Sequence, residues 1–421
     1  MAAYVAVLKG QGLRRALAEA LADAPHLGGQ ERRFVAFATR DILRHQRLID
    51  LAGRLLGRPA GDWALREDLA LARYALWRRL LTGADADRVD VEVKLPGPLR
   101  PRAATDAQLH QLAAAPLPED VPVEGAERAA TLHSFPTWLA EDLSRSGEDV
   151  GPLLEALNRE PQLILRARPP GSRARRIEEL RAADLEAHAL EGIADALMLV
   201  ERGTRVFDSE PMKRGHLQVQ DAGSQLIAEL CCPDRGFEGA RIADVCAGAG
   251  GKTLTLADRV GPMGRIEASD LAPDRLAEAR RRARAWRLKN VHFPASAEPE
   301  KADVILIDAP CSGTGNLGKE PDQKWKLTRK EVARFAERQR ALLGEMASRA
   351  RPGAIVVYAT CSLLKVENQD VVEAMVSGRS DLQLEELPDA VPAAARRGPF
   401  LETRPGAFPG GGFFGARLRK R

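Results

Sequence analysis

The sequence predicts a mixed α/β chain. A doubly wound, mostly parallel sheet over residues 216–421 follows an all-α domain (1–125) and a small α+β domain (126–215). Three observations carry this reading. From about residue 216, short apolar strands alternate with helical segments: RIADV (241–245), RIEAS (265–269), DVILI (303–307) and AIVVY (354–358). That alternation predicts parallel strands joined by crossover helices on both faces of one sheet. The first 80 residues instead repeat apolar side chains at three- and four-residue steps, and the stretch between mixes both patterns.

Taken in order, Phe34, Phe37, Ala38, Ile42, Leu48, Leu51 and Leu55 mark the buried face of one helix. Arg33, Arg40, Arg44 and Arg47 share a roughly opposite face, which reads as a nucleic-acid contact. GRPAG (57–61) breaks the pattern, and Leu69, Leu76 and Leu80 resume it. Thr105–Gln108 has the spacing of a capping box, and Pro116, Pro118 and Pro122 read as a linker. In the middle region Phe135–Trp138 leads into a helix and Gln162–Arg166 reads as a strand. An arginine-rich helix follows near 173–186, then an alternating segment at 196–200. No strand there carries the aromatics that stack bases, so any RNA grip would use charge and shape.

Over 421 residues, 44% hydrophobic and 29% charged content describes folded domains rather than disorder. The net charge of +4 permits a nucleic-acid partner without requiring one. Basic residues cluster at Arg173, Arg175 and Arg176, at Arg280, Arg281, Arg282 and Arg284, and at Arg417, Arg419, Lys420 and Arg421; each cluster reads equally well as a solvated face. The five cysteines are odd in number and form no CxxC pair, which with the lack of a secretory leader argues against disulfides and zinc. No metal is expected. No stretch nears the roughly 20 apolar residues of a membrane span. A reducing cytoplasm, with free thiols, is the expected location.

One strand end turns into a glycine-rich loop, DVCAGAGGKT (244–253). Gly248, Gly250 and Gly251 allow close backbone approach to a ligand, and Asp270 closes the next strand where ribose hydroxyls usually find a carboxylate. An adenosine-containing ligand is expected. The rival reading is a P-loop ending in Gly251-Lys252-Thr253, but its first glycine would fall at position 246, which is Cys246.

Cys311 and Cys361 each follow an apolar strand, at the sheet edge where α/β proteins bind ligands. Cys231, Cys232 and Cys246 read instead as small buried residues. Two thiols beside an adenosine site suit methylation of cytosine carbon-5. A thiolate adds to carbon-6, carbon-5 becomes an enamine that takes a methyl group from a sulfonium, and loss of the carbon-5 proton expels the thiol. An acid near ring nitrogen 3 is also needed, and Asp308 stands three residues before Cys311.

Six segments in order then resemble one family: 219–225 (VQDAGSQ), 244–253, 308–315 (DAPCSGTG), 321–325 (PDQKW), 358–362 (YATCS) and 412–416 (GFFGA). They are similar to the Sun (Fmu) group of S-adenosylmethionine-dependent RNA cytosine-5 methyltransferases, with a Rossmann-like catalytic domain. The resemblance implies Cys361 as nucleophile, Cys311 in product release, Asp308 at the base and Lys252 in active-site hydrogen bonding. It also implies that Cys246, Ala247, Gly248, Ala249, Gly250, Gly251 and Lys252, with Asp270, Ser296 and Asp308, hold the cofactor. The N-terminal region resembles the NusB-like RNA-binding domain of bacterial 16S rRNA methyltransferases of this group, which implies 16S rRNA as substrate and neither DNA nor a membrane as partner.

Three positions depart from the family pattern. Ser296 or Ala297 stands where an acid usually meets the adenine amino group, the loop reads AGAGG rather than AAPGG, and Glu320 replaces a basic residue or histidine. The classes that compete with this reading are a P-loop NTPase and a ribosome-assembly factor that keeps the fold without catalysis.

Overall fold

The computed structural model describes residues 2–55, 77, 124–144, 149–200 and 205–421. Its contacts group the chain into two compact units, Met1–Arg159 with Leu317–Leu327, and Glu160–Asn316 with Thr328–Arg421. This division differs from the three domains expected with boundaries after 125 and 215. Residues 126–159 belong with the N-terminal helices, because Arg47 donates to the Phe135 carbonyl at 2.9 Å and to Thr137 Oγ1 at 2.9 Å. Residues 160–215 share a core with the large sheet.

In the second unit, β1 (Ile164–Ala167), β2 (Ala187–Ala189), β3 (Ala196–Leu199) and β4 (Leu217–Val219) form an antiparallel sheet in the order β2-β3-β1-β4. The large sheet is built on five parallel strands, β5 (Arg241–Asp244), β6 (Arg265–Ala268), β7 (Val291–His292), β8 (Val304–Asp308) and β9 (Ile355–Thr360), in the order β7-β6-β5-β8-β9. Both faces are covered, which is why β9 is apolar and buried along its whole length. Val304, Leu306, Val357 and Ala359 enter one core with Leu226 and Ile227 of the helix Ala222–Leu230. Ile305, Ile307, Val356 and Tyr358 enter the other with Leu343, Met346 and Val371. Strand order reverses between β5 and β8, and open α/β sheets usually bind ligands at the carboxyl ends of the strands beside such a reversal.

The sheet continues antiparallel through β10 (Leu382–Leu384), β11 (Arg396–Arg397), β12 (Phe400–Thr403) and β13 (Phe413–Lys420), an extension that the alternating pattern does not reveal. The C-terminal basic cluster therefore begins inside a strand. Arg417 is 5% exposed and donates to Glu385 and to the carbonyls of Leu230 and Cys232. Arg419 pairs with Glu385 and Asp234.

The small sheet is tied down by one carboxylate. Asp258, on the helix Gly251–Arg259, accepts from Arg166 Nη2 at 2.7 Å and from Arg168 Nε at 2.6 Å and Nη2 at 2.7 Å. Arg168 also stacks over the Trp286 ring at 3.6 Å. Burial draws the Arg166 guanidinium down to about 10, with Asp258 opposing the shift.

The described residues of the first unit before residue 160 are helical or in turns and caps. The long helix Gly29–Leu55 buries Ala38, Ile42, Leu43 and Ile49 with Tyr4, Leu17 and Trp77. Phe34 and Phe37, expected on that face, are each 43% exposed, with their rings tilted against Trp77 at 6.5 and 6.1 Å between centres. The arginine face is present, but it is not the open surface expected. Arg44 is 2% exposed and donates to the Gly318 carbonyl at 2.8 Å, and Arg47 is bonded as described above. Of the four, Arg33 is exposed. The turn at 57–61, Leu69, Leu76, Leu80, the capping box and the proline-rich linker lie outside the described residues.

Lys324, from the segment Leu317–Leu327, is buried in this unit. Its Nζ donates to the Arg44 carbonyl at 2.7 Å and Asn158 Oδ1 at 2.9 Å, and sits 4.0 Å from the Phe135 ring centre. Burial, with Arg44 adding repulsion, lowers its pKa well below the ordinary lysine value.

Two predictions follow from these buried charges. Asp258→Ala strands two buried guanidiniums and should cost about 3–5 kcal/mol in urea unfolding. For Lys324 the folded chain binds fewer protons than the unfolded chain. Its contribution to stability is thus least favourable below the depressed folded pKa and improves as pH rises toward about 10.4. Thermal unfolding of Lys324→Met from pH 7 to 10 should show less gain with pH than wild type.

Candidate active site

The site begins where β5 ends. Asp244 is buried and accepts from Thr253 Oγ1 at 2.7 Å; burial pushes its carboxyl up to about 7, against that hydrogen bond. The chain then turns through Cys246, Ala247, Gly248 and Ala249 into the helix Gly251–Arg259, with Gly250 as its N-cap at φ +78°. Glycine is required there twice over, since a Cβ at 250 would lie 2.5 Å from Ala279 Cβ. Asp270 Oδ2 accepts from the Gly248 amide at 2.9 Å, which ties the acid beyond β6 to the turn. Burial raises the Cys246 thiol to about 12, so it is a poor nucleophile. Ser296 is exposed between β7 and β8, with Ala297 buried beside it.

A Cβ added at Gly248 or Gly251 would meet nothing within 4 Å, so the turn presents an open cradle beside the Asp270 carboxylate. Backbone amides and an acid in this arrangement fit the amino-acid and ribose parts of an adenosyl sulfonium. Lys252 does not serve as a phosphate-reaching lysine. Its Nζ is bonded to Asp308 Oδ2 at 2.8 Å; burial lowers the pKa of the ammonium, but that carboxylate, with Cys361 and Asp244, outweighs burial and holds it above its ordinary value.

Asp308 ends β8, and three residues on, Cys311 meets Cys361 from the end of β9 with their sulfurs 3.3 Å apart. The hydrogen bond from Cys311 draws the Cys361 thiol below its ordinary value; burial and Asp308 oppose this, and Lys252 and Asn316 assist. The same bond, with burial, holds the Cys311 thiol well up. One thiol is thus shifted toward the thiolate and the other away from it. The structure brings Cys361, Cys311, Asp308 and Lys252 together, while Ser296 remains on a separate loop.

Sequence reasoning passed over the supports of this pair. Glu367 is fully buried, and its carboxylate accepts from Ser312 N at 2.9 Å, Gln339 Nε2 at 3.0 Å, Ser362 Oγ at 2.5 Å and Ser312 Oγ. A serine directly after each cysteine was the available signal. The motif at 412–416 also finds its place here. The Gly412 amide donates to the Gly315 carbonyl at 2.9 Å, and a Cβ on Gly315 would lie 2.1 Å from the Gly412 oxygen.

A Rossmann-like sheet with an adenosine-type turn at its switch point, and a lysine bonded to a carboxylate rather than free for phosphate, defines an S-adenosylmethionine-dependent methyltransferase. Residues 236–419 match the family model described as 16S rRNA methyltransferase RsmB/F. The ribosomal RNA small subunit methyltransferase B of Yersinia enterocolitica is 32% identical over 311 residues, covering 71% of this chain and 70% of that one. The chain belongs to this family, and its cofactor is S-adenosylmethionine. Two solved structures share the fold. The crystal structure of PH0851 has a TM-score of 0.75 at 23% identity and covers 100% of this chain and 98% of its own. NSun6 from Pyrococcus horikoshii with SFG has a TM-score of 0.60 at 20% identity and covers 69% and 99%.

Gly250→Ala should weaken S-adenosylmethionine binding about 5- to 150-fold in calorimetric titration, since positive φ and the Ala279 contact together strain the turn by about 1–3 kcal/mol.

Proposed function

We propose that the protein methylates carbon-5 of a cytosine in 16S rRNA through a covalent cysteine–cytosine adduct. The observation that carries this reading is the pair of thiols 3.3 Å apart, with opposite pKa shifts, beside the Lys252–Asp308 ion pair. S-adenosylmethionine, when bound, supplies an electrophilic methyl group on a sulfonium sulfur.

The target base is unstacked from its RNA to reach the crevice. The Cys361 thiolate bonds to carbon-6, and the ring electrons make carbon-5 nucleophilic. Asp308 faces the base edge, with Lys252 behind it to supply the proton that ring nitrogen 3 takes up. Once the Cys361 sulfur is bonded to carbon, it is no longer the anion that held the Cys311 proton. Cys311 can then release that proton to solvent and accept the one from methylated carbon-5. The electrons of the broken C–H bond restore the ring double bond as the carbon–sulfur bond breaks, ring nitrogen 3 returns its proton to Lys252, and Cys361 leaves as thiolate.

The substrate assignment rests on the names of the relatives, and exposed Arg280, Arg281 and Arg284 offer charge for phosphate contacts. In this reading the helical N-terminal unit is a NusB-like RNA-binding module, and the enzyme works in the cytoplasm, where thiols stay reduced.

Cys361→Ala should lower methyl transfer to unmodified 16S rRNA by about 10³-fold or more and leave cofactor binding near normal. Cys311→Ala should instead accumulate a protein–RNA adduct on denaturing gels. Adduct in the Cys361 variant and none in the Cys311 variant would reverse the two roles, and an unchanged bisulfite map of the rRNA would reject cytosine-5 as the target.

A further inference from the structure

We propose that Glu367 is the positioning residue of the thiol pair, holding the loops after Cys311 and Cys361 at the spacing that lets one sulfur donate to the other. This rests on the reading of Cys361 as nucleophile.

A carboxylate with no exposure is unfavourable unless its oxygens are filled by donors, and here they are. Oε1 takes Ser312 N and Gln339 Nε2, while Oε2 takes the hydroxyls of Ser312 and Ser362. Three of these four bonds come from the residues directly after the two cysteines. The fourth ties the cluster to the helix Arg329–Arg349, since Gln339 also donates to the Pro310 carbonyl at 2.9 Å.

Glu367 is itself held. The Tyr358 hydroxyl donates to its carbonyl at 2.6 Å, and the neighbouring Asn368 bonds Thr360 Oγ1 at 2.6 Å and the Ser362 carbonyl at 2.9 Å. The acid therefore acts as a fixed post between two loops. Its negative charge also disfavours a thiolate on Cys311 and so keeps that thiol a donor. The other groups that bear on Cys361 are Asp308, Lys252 and Asn316, none of which bonds Glu367.

An amide at this position fits the space. Its oxygen can keep Ser312 N and Gln339, while its NH₂ donates where Oε2 accepted, so the hydroxyls of Ser312 and Ser362 must reverse their bonds and the negative charge is lost. The test is the pH dependence of iodoacetamide alkylation at Cys361, read by peptide mass spectrometry on the full chain without RNA or cofactor. Glu367→Gln should raise the apparent pKa of Cys361 by about one unit, and Cys311→Ala should raise it at least as far.

The double variant should move no further than Cys311→Ala alone, because Glu367 acts through Cys311. A wild-type profile in Glu367→Gln, or shifts that add in the double variant, would overturn the proposal even if thermal stability fell. Should Glu367→Gln fail to fold, Ser312→Ala and Ser362→Ala each remove one donor and should shift the profile in the same direction by less; no shift in either would also overturn it. Methyl transfer is read separately. A Cys361→Ala enzyme that still methylates rejects the nucleophile reading, whereas the alkylation cycle judges Glu367 alone.

Discussion

The parallel register of β8 on β9 is the constraint on which the site depends. It sets Ile307 opposite Tyr358 and Asp308 opposite Ala359, so β9 runs one residue past β8. Three residues beyond one end and one beyond the other, the sulfurs meet. A one-residue slip would turn every side chain of β9 to the opposite face, putting Val356 and Tyr358 where Val357 and Ala359 now pack. Because both faces are filled with apolar side chains, that slip is expensive. The geometry of the thiols is thus specified by packing well behind them, and the reactive groups inherit the precision of the core.

The parts of this arrangement legible in the sequence were those with local patterns. Unbroken apolar runs marked β8 and β9, and three glycines between a strand and a helix marked the turn at Gly248–Gly251. What escaped notice was set by partners distant in sequence. The arginines at 33, 40, 44 and 47 do share a face, but the periodicity of a helix says nothing about what covers it. For Arg44 the cover is Gly318, 274 residues later. Arg417 looks like part of a basic tail until Glu385 and β13 are seen together. Glu367 reads as one more surface acid, because nothing beside it in the chain announces four donors. The antiparallel strands after residue 380 are short and interrupted by proline and glycine, so their pairing with β13 had no strong local signal.

Buried polar groups recur around the thiol pair, and they fix geometry more than they add stability. Asp244, Glu367 and Lys252 all leave water, and each is offset by hydrogen bonds that demand narrow geometry, Lys252 by its bond to the part-exposed Asp308. Apolar substitutes of similar volume would serve stability as well or better. Such groups instead set directions and proton affinities, as the opposite shifts of two chemically identical thiols illustrate.

The segment Leu317–Leu327 has a consequence for how the chain comes to be folded. It leaves the catalytic sheet just after the Cys311 loop, yet its packing partners are the N-terminal helices, with Lys324 and Trp325 both bonded to backbone carbonyls of the helix Gly29–Leu55. During synthesis those helices leave the ribosome first but lack part of their core until residue 327 has followed. Domains usually fold as units in order of emergence. This one must wait, half-assembled, for a piece encoded inside its neighbour, so neither half can be exchanged between proteins as a simple cassette.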